Sequence, residues 1–190
     1  MTMDSVARVI CHSPTKYARQ QGLTCGEYNV RTIVDGFNLS FQRLANPPGR
    51  VKLFGFSFIR DIQKLLAVNR LSASIHHASK LDAVGKLRAL TDHIDQDEPV
   101  LLAIGNGHLS RDRYSPLARL FPGHFITVYG YNTEREIFYI YDPYLEGAYK
   151  EDIPVGNEVR TFREILREWR GPFYYQLIGM DHVYLAVRAE

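Results

Sequence analysis

Cys25, His124 and Asp142 are the residues whose types and surroundings can do chemistry together. Cys25 lies in the run Gln20-Gln21-Gly22-Leu23-Thr24-Cys25-Gly26-Glu27-Tyr28-Asn29, which reads as a loop entering a helix. Thr24 and Glu27 have the spacing of a capping box. Thr24 would accept from the backbone N–H of position 27, and Glu27 would reach back to that of Thr24. Cys25 is then expected as the first helical residue. A helix N-terminus offers unpaired N–H groups and the positive end of the macrodipole, which favour a thiolate over a thiol. A capping box is common, and a free cysteine is more often a small buried apolar residue. The nucleophile reading therefore needs partners.

A thiol nucleophile needs an imidazole, and the imidazole needs a group that fixes its tautomer and stabilises its cation. The run from His124 to Tyr131 reads as a strand, Asn132 to Glu136 as a turn, and Ile137 to Tyr141 as the returning strand, ended by Asp142-Pro143. The open ends of an antiparallel hairpin lie side by side, so His124 and Asp142 are expected as neighbours. Each has a plainer reading: a strand-end histidine with one backbone bond, and a turn-initiating Asp-Pro. His108, in Gly-Asn-Gly-His, competes for the imidazole role. His76, His77 and His93 have no partnered spacing and read as surface or packing residues.

The elements that must position these groups follow from periodicity. The helix opening at Thr24 continues through Tyr28, Val30, Ile33, Val34 and Phe37, an apolar stripe at three- and four-residue spacing. Asn46-Pro47-Pro48-Gly49-Arg50 is a break. Phe58 to Leu71 and Asp82 to Ile94 read as two further amphipathic helices, with Ser72 to His76 as a short strand or extended connector between them. Pro99 to Ile104 reads as a buried strand closed by Gly105-Asn106-Gly107, and the stretch from there to Pro122 has room for a short helix around Leu117 to Leu120. Thr161 to Arg170 reads as a helix with Phe162, Ile165, Leu166 and Trp169 on one face, broken by Gly171-Pro172. Two strand-like runs follow, Phe173 to Ile178 and His182 to Val187. The expected class is α+β in one domain spanning 1–190, helical over about 13–95 and sheet-rich over about 96–190.

Composition narrows the function classes. With 45% hydrophobic and 23% charged residues, 190 residues suffice for a full core in one domain. A formal net charge of +2, without a long Lys/Arg run, does not call for nucleic acid or a membrane surface as partner. No secretory signal pattern or membrane-span-length apolar run is apparent, which makes the cytoplasm the default expectation and leaves leaderless secretion open. Cys11 and Cys25 are too few for a disulfide scaffold, although a bridge between them would remove the nucleophile. With two cysteines and no His-x-x-x-His helix, no metal or other cofactor is expected.

The same residues carry a resemblance. A Gln followed after a short gap by Cys25-Gly26, the run Gly123-His124-Phe125-Ile126-Thr127-Val128-Tyr129-Gly130-Tyr131, and Ile140-Tyr141-Asp142-Pro143 resemble the papain-like cysteine peptidases. Within these, the match is closest to the bacterial bacteriocin-processing peptidases that act on double-glycine leaders. The helix from Phe162 to Trp169 and the Tyr174 to Ile178 run resemble the end of that family's domain. The resemblance spans about Gln20 to Ile178, and its specific motifs are short. It implies a papain-like fold with catalytic Cys25, a His124 partner and an orienting Asp142. It also implies an oxyanion-hole glutamine upstream of the cysteine. The gap from Gln20 or Gln21 to Cys25 is shorter than that family's, and Gln20 is the expected donor ahead of Gln21.

Two classes of function follow. The first is a cysteine hydrolase that cleaves a peptide or other amide bond of a peptide or protein substrate through an acyl-enzyme. The same triad also runs acyl transfer and glutamine deamidation. The second is an inactive papain-like module that holds a peptide or partner in its cleft. Cys25 and His124 turned apart, or Cys25 bridged to Cys11, would favour the second. Tyr139, Tyr141, Tyr144 and Tyr149 read as cleft-lining or as half-buried packing. Substrate and oligomeric state have no sequence signal.

Overall fold

The computed structural model describes residues 7–47, 58–110, 113–145 and 153–190. Pro48 to Arg50 of the expected break, and Tyr149, lie outside these. The first strand, β1 (Ala7–Val9), precedes helix α1 (Cys25–Gly36). Then come α2 (Ile59–Val68), β2 (Leu71–His77), α3 (Ala83–Asp95) and β3 (Val100–Gly105). A two-stranded ribbon, β4 (His108–Ser110) with β5 (Arg113–Tyr114), leads to a single 3₁₀ turn at Ala118–Leu120. The chain continues through β6 (Gly123–Asn132), β7 (Ile137–Tyr141), β8 (Glu158–Thr161), α4 (Phe162–Glu168), α5 (Phe173–Leu177) and β9 (Val183–Ala189).

Seven strands form one antiparallel sheet in the order β2-β9-β3-β6-β7-β8, with β1 paired to β6 beyond the end of β3. All six positions of β3 are buried, as expected for a central strand covered on both faces. Helix α1 packs on β6 and on α2, and α2 packs on β2 and β9, while α3 packs on β1, β3, β6 and α4. Val30, Ile33 and Val34 of α1 and Ile62 and Leu66 of α2 are completely or almost completely buried, which is the apolar stripe the spacing predicts. Trp169 is fully buried just after α4 and donates its indole N–H to the Val183 carbonyl at 3.0 Å, tying that helix to β9.

The β4–β5 ribbon has no counterpart in the sequence reading, and three further elements differ from expectation. Phe173 to Leu177 is helical: Pro172 sits at the N-cap, and only Tyr175 of the turn is buried. Phe173, Tyr175 and Leu177 alternate as a strand would, but the helical turn sends only Tyr175 inward. Strand β8 is short and mostly polar and lacks an apolar alternation to reveal it; it is recruited by pairing with β7. Strand β1 likewise adds only three residues to an edge of β6.

Candidate active site

Cys25 opens α1, but the capping box does not form. The Thr24 hydroxyl donates to the Gln21 carbonyl at 2.6 Å, and Thr24 lies outside the extended N-cap conformation. Glu27 is drawn to Arg31 at 2.6 Å and Arg43 at 3.3 Å, because two guanidinium groups compete better for a carboxylate than one neutral N–H. No side chain caps the helix start, so the dipole end at Cys25 keeps its N–H groups for another acceptor.

One turn along, Asn29 holds the helix to the strand that carries the histidine. It is fully buried; its amide donates to the Cys25 carbonyl at 2.8 Å and the Phe125 carbonyl at 2.7 Å, and its oxygen accepts from the Thr127 hydroxyl at 2.7 Å. Sequence reasoning missed Asn29. Its signal is a polar residue on the apolar stripe, four positions after the cysteine.

His124, at the start of β6, is 3% exposed, and its Nε2 lies 2.7 Å from Asp142 Oδ1. Cys25 acts on the ring electrostatically, and the two line the same cavity. With Nε2 engaged by the carboxylate, Nδ1 is the ring nitrogen left for another partner. Burial works against the imidazolium, but the charge and hydrogen bond of Asp142, together with Cys25, outweigh it and push His124 up to about 10. Burial alone would raise Asp142. Instead His124⁺, Arg160 and the Tyr144 backbone N–H at 2.9 Å hold it well below the usual carboxylate range.

Asp142 is in turn held from behind. Arg160 of β8 donates to its second oxygen and to Glu168 of α4 at 2.7 Å; all three are at most 3% exposed. The Asn157 side chain accepts from the Asp142 N–H at 2.8 Å and donates to its carbonyl at 2.9 Å, fixing the backbone as well. Asn157 and Arg160 lie beside and in the unpredicted β8, and Glu168, at the end of a predicted helix, meets Arg160 through the pairing of that strand, so sequence reasoning found none of the three. A four-membered charge chain, His124–Asp142–Arg160–Glu168, therefore runs inward from the thiol.

Gln20 is tied to the residue after Asp142, its N–H donating to the Pro143 carbonyl at 2.7 Å. Its amide nitrogen donates to the Gly22 carbonyl at 2.7 Å, and it lines a cavity of about 330 Å³ together with Cys25, Asn106, His124 and Tyr144. Gln21 is exposed and is not part of that lining. A second cavity of about 420 Å³ borders Cys25 on an apolar side made by Phe58, Phe121, Phe125, Tyr174, Tyr175 and Met180.

Among the described residues His124 is bonded to Asp142 and lines one cavity with Cys25. His108 lies in β4, paired with Tyr114. His76 and His93 pack against Tyr184, and His93 is paired with Glu98 at 2.7 Å. Tyr139 and Tyr141 are buried packing, while Tyr144 reaches the smaller cavity. Cys11 and Cys25 are both free. Among the described residues no group of three His, Cys, Asp or Glu is placed to hold a metal ion, and no helix is long and apolar enough to cross a membrane.

Comparison with known proteins agrees with this geometry at the level of fold. The chain is similar to a double-glycine-motif protease from an AMS/PCAT transporter, solved in complex with the leader peptide. That match has 11% identity and a TM-score of 0.53, covering 97% of this chain and 99% of the other. It is also similar to a C39-like peptidase from Bacillus anthracis, with 12% identity and a TM-score of 0.53 over 96% of this chain and 99% of the other. The architecture is thus the papain-like fold of the C39 peptidase-like domains. No curated protein matches the chain. The family profile described as "Butirosin biosynthesis protein H, N-terminal" matches residues 36–143, more than half of its length.

Proposed function

We propose, for a chain that belongs to the family described as "Butirosin biosynthesis protein H, N-terminal", a cysteine-dependent acyl reaction centred on Cys25. The observation that carries this reading is the His124 ring, bonded to a buried Asp142 and lining the same cavity as Cys25. The Cys25 sulfur attacks a carbonyl carbon, forming the S–C bond as His124 holds the thiol proton. The tetrahedral oxyanion is stabilised by the uncapped N–H groups at the start of α1 and by the Gln20 amide. His124 then gives its proton to the leaving group as the bond to the carbonyl breaks, which leaves an acyl-enzyme. In hydrolysis of a peptide or other amide, water completes the cycle, with its proton returning to His124. Asp142 keeps the ring in the orientation that presents Nδ1 to sulfur.

A second acceptor is favoured by the family's description. A biosynthesis protein suits acyl transfer, in which an amine in place of water takes the acyl group from the same Cys25 intermediate. A passive binding module fits less well, because both cysteines are free and Cys25 and His124 line one cavity with Asp142 bonded to the ring.

The test is acylation by p-nitrophenyl acetate, with the adduct mapped by peptide mass spectrometry. Cys25 should acylate and turn over, while Cys11 reacts slowly. His124→Ala should slow Cys25 by roughly 10²- to 10⁴-fold, the usual worth of general acid–base assistance. Adding a primary amine and measuring amide against acid product separates transfer from hydrolysis. If Cys25 acylates no faster than Cys11, and His124→Ala changes neither, the reading is wrong.

A further inference from the structure

The two cavities beside Cys25 differ in chemistry. The smaller one holds the Gln20 and Asn106 amides, the His124 ring and Tyr144. The larger one, about 420 Å³, borders Cys25 with aromatic and aliphatic side chains, and among the described residues no charged side chain lines it. Leu23, Pro122 and Gly123 line both, so the thiol stands on the ridge between them. From this division we propose that the larger cavity takes a hydrocarbon acyl group, held as its thioester on Cys25, while the leaving group and the acceptor use the polar side.

Three observations carry it, and it rests on the acyl-enzyme reading above. First, both cavities adjoin the nucleophile, but His124, which must give its proton to the leaving group, lines only the smaller one, which leaves the larger to the acyl substituent. Second, its size exceeds that of a single ring: an apolar cavity of about 150 Å³ accepts benzene. At about 420 Å³ there is room for an unbranched chain or an aryl-alkyl group. Third, a peptide strand would bring an N–H and a C=O with every residue, each needing a partner. The lining is short of such partners. Among the described residues its polar side-chain groups, besides the thiol, are the Tyr174 and Tyr175 hydroxyls. Burial and the neighbouring Tyr174 and Cys25 charges keep Tyr175 protonated, so this wall stays uncharged throughout the working pH range. Exposed Leu23, Phe58, Phe121 and Phe173 continue the apolar surface around the mouth, where an incoming chain would first settle.

The reaction balances without any further reagent. An activated ester RC(=O)–OR′ gives RC(=O)–S on Cys25 and HOR′, with the thiol proton carried to the leaving oxygen by His124. Water or an amine then breaks the thioester and returns the thiol.

The experiment measures Cys25 acylation rates by mass spectrometry for p-nitrophenyl acetate, butyrate, hexanoate and octanoate, and for the p-nitrophenyl ester of N-acetylphenylalanine. The expected result is a rise of up to about fourfold per added methylene, the worth of burying each one. Met180→Trp, which fills the cavity, should reduce the octanoyl-to-acetyl ratio at least tenfold; the acetyl rate in the same preparation reports the triad. Equal rates for acetate and octanoate, or an unchanged ratio in Met180→Trp, overturn the acyl-chain proposal while leaving the acyl-enzyme intact. A preference for the phenylalanyl ester over octanoate also overturns it, in favour of a peptide side chain. Failure of Cys25 to acylate with any ester, acetate included, refutes the underlying reading and the proposal with it.

Discussion

Arg160 closes on Asp142 from the side opposite His124, so the carboxylate that orients the imidazole is itself clamped between two cations in a buried setting. Glu168 holds Arg160 from behind at 2.7 Å, and its carboxyl is raised above its ordinary value mainly by burial. Removing one partner of a buried ion pair typically costs about 3–5 kcal/mol, because the other charge is left uncompensated. Arg160→Met should therefore lower the unfolding free energy by several kcal/mol. Glu168→Gln, which keeps a hydrogen-bond acceptor for Arg160, should cost less. Denaturant titration checks both. Cys25 acylation against pH in Glu168→Gln tests positioning separately: an altered pH profile in a folded protein means that the chain behind Asp142 tunes His124. A profile identical to that of the parent would confine Arg160 and Glu168 to stability.

Asn29 makes a prediction of a different kind. It bonds the carbonyl of Cys25 and that of Phe125, the neighbour of His124, and so sets the spacing between thiol and imidazole. Asn29→Ala leaves the Phe125 carbonyl and the Thr127 hydroxyl buried without this partner, at about 1–3 kcal/mol for each unsatisfied group. The acylation rate of Cys25 should fall together with stability. Asn29→Asp keeps the bond from Thr127 but loses the amide donors, so it should not rescue the rate. A parent-like rate in Asn29→Ala would show that α1 is positioned by packing alone.

Much of this was legible in the chain. The apolar stripe through Val30, Ile33 and Val34 and the hairpin from β6 to β7 are periodic signals, and they placed Cys25, His124 and Asp142 on their elements before any coordinates. What escaped was non-local. Arg160 and Asn157 act because β8 pairs with β7, and β8 has too few apolar residues to declare itself. The capping box failed for a related reason: Arg43, sixteen positions from Glu27, draws the carboxylate away with Arg31, and no local motif reports that competition. The Phe173 to Leu177 run has apolar residues compatible with a strand, and Pro172 followed by a single inward tyrosine decided for a helical turn.

The pH dependence follows from the two shifted partners. His124 is raised from 6.5 to about 10, so its contribution to stability is complete below its ordinary value and is lost as the pH climbs through the folded value. Asp142 is lowered from 3.8, so its contribution is complete above that value and is lost as the pH falls below it. Thermal unfolding should therefore give its highest midpoint between these two ordinary values and decline toward alkaline pH. His124→Gln should flatten the alkaline decline. Because Cys25 also helps to raise His124, the ring titration followed by NMR should move to lower pH in Cys25→Ala. An unmoved titration would mean that the thiol and the imidazole are not electrostatically coupled.

Gly123, which precedes His124, admits no side chain as the site stands. A β-carbon there would meet Tyr175 Oη at 2.3 Å and Tyr174 Oη at 3.1 Å, and Tyr175 is buried with little freedom to withdraw. Gly123→Ala should thus push Tyr175 and α5 outward, at roughly 1–3 kcal/mol for overpacking. It should also slow Cys25 acylation, because residue 123 borders both cavities and sets the start of β6. The contact is chiefly with a hydroxyl oxygen, so deleting that oxygen should relieve it. Tyr175→Phe combined with Gly123→Ala should recover part of the stability and part of the rate, giving a favourable coupling in a double-mutant cycle. If the two changes simply add, then the clash is not what excludes a side chain at 123, and the glycine is needed for the approach of a substrate instead.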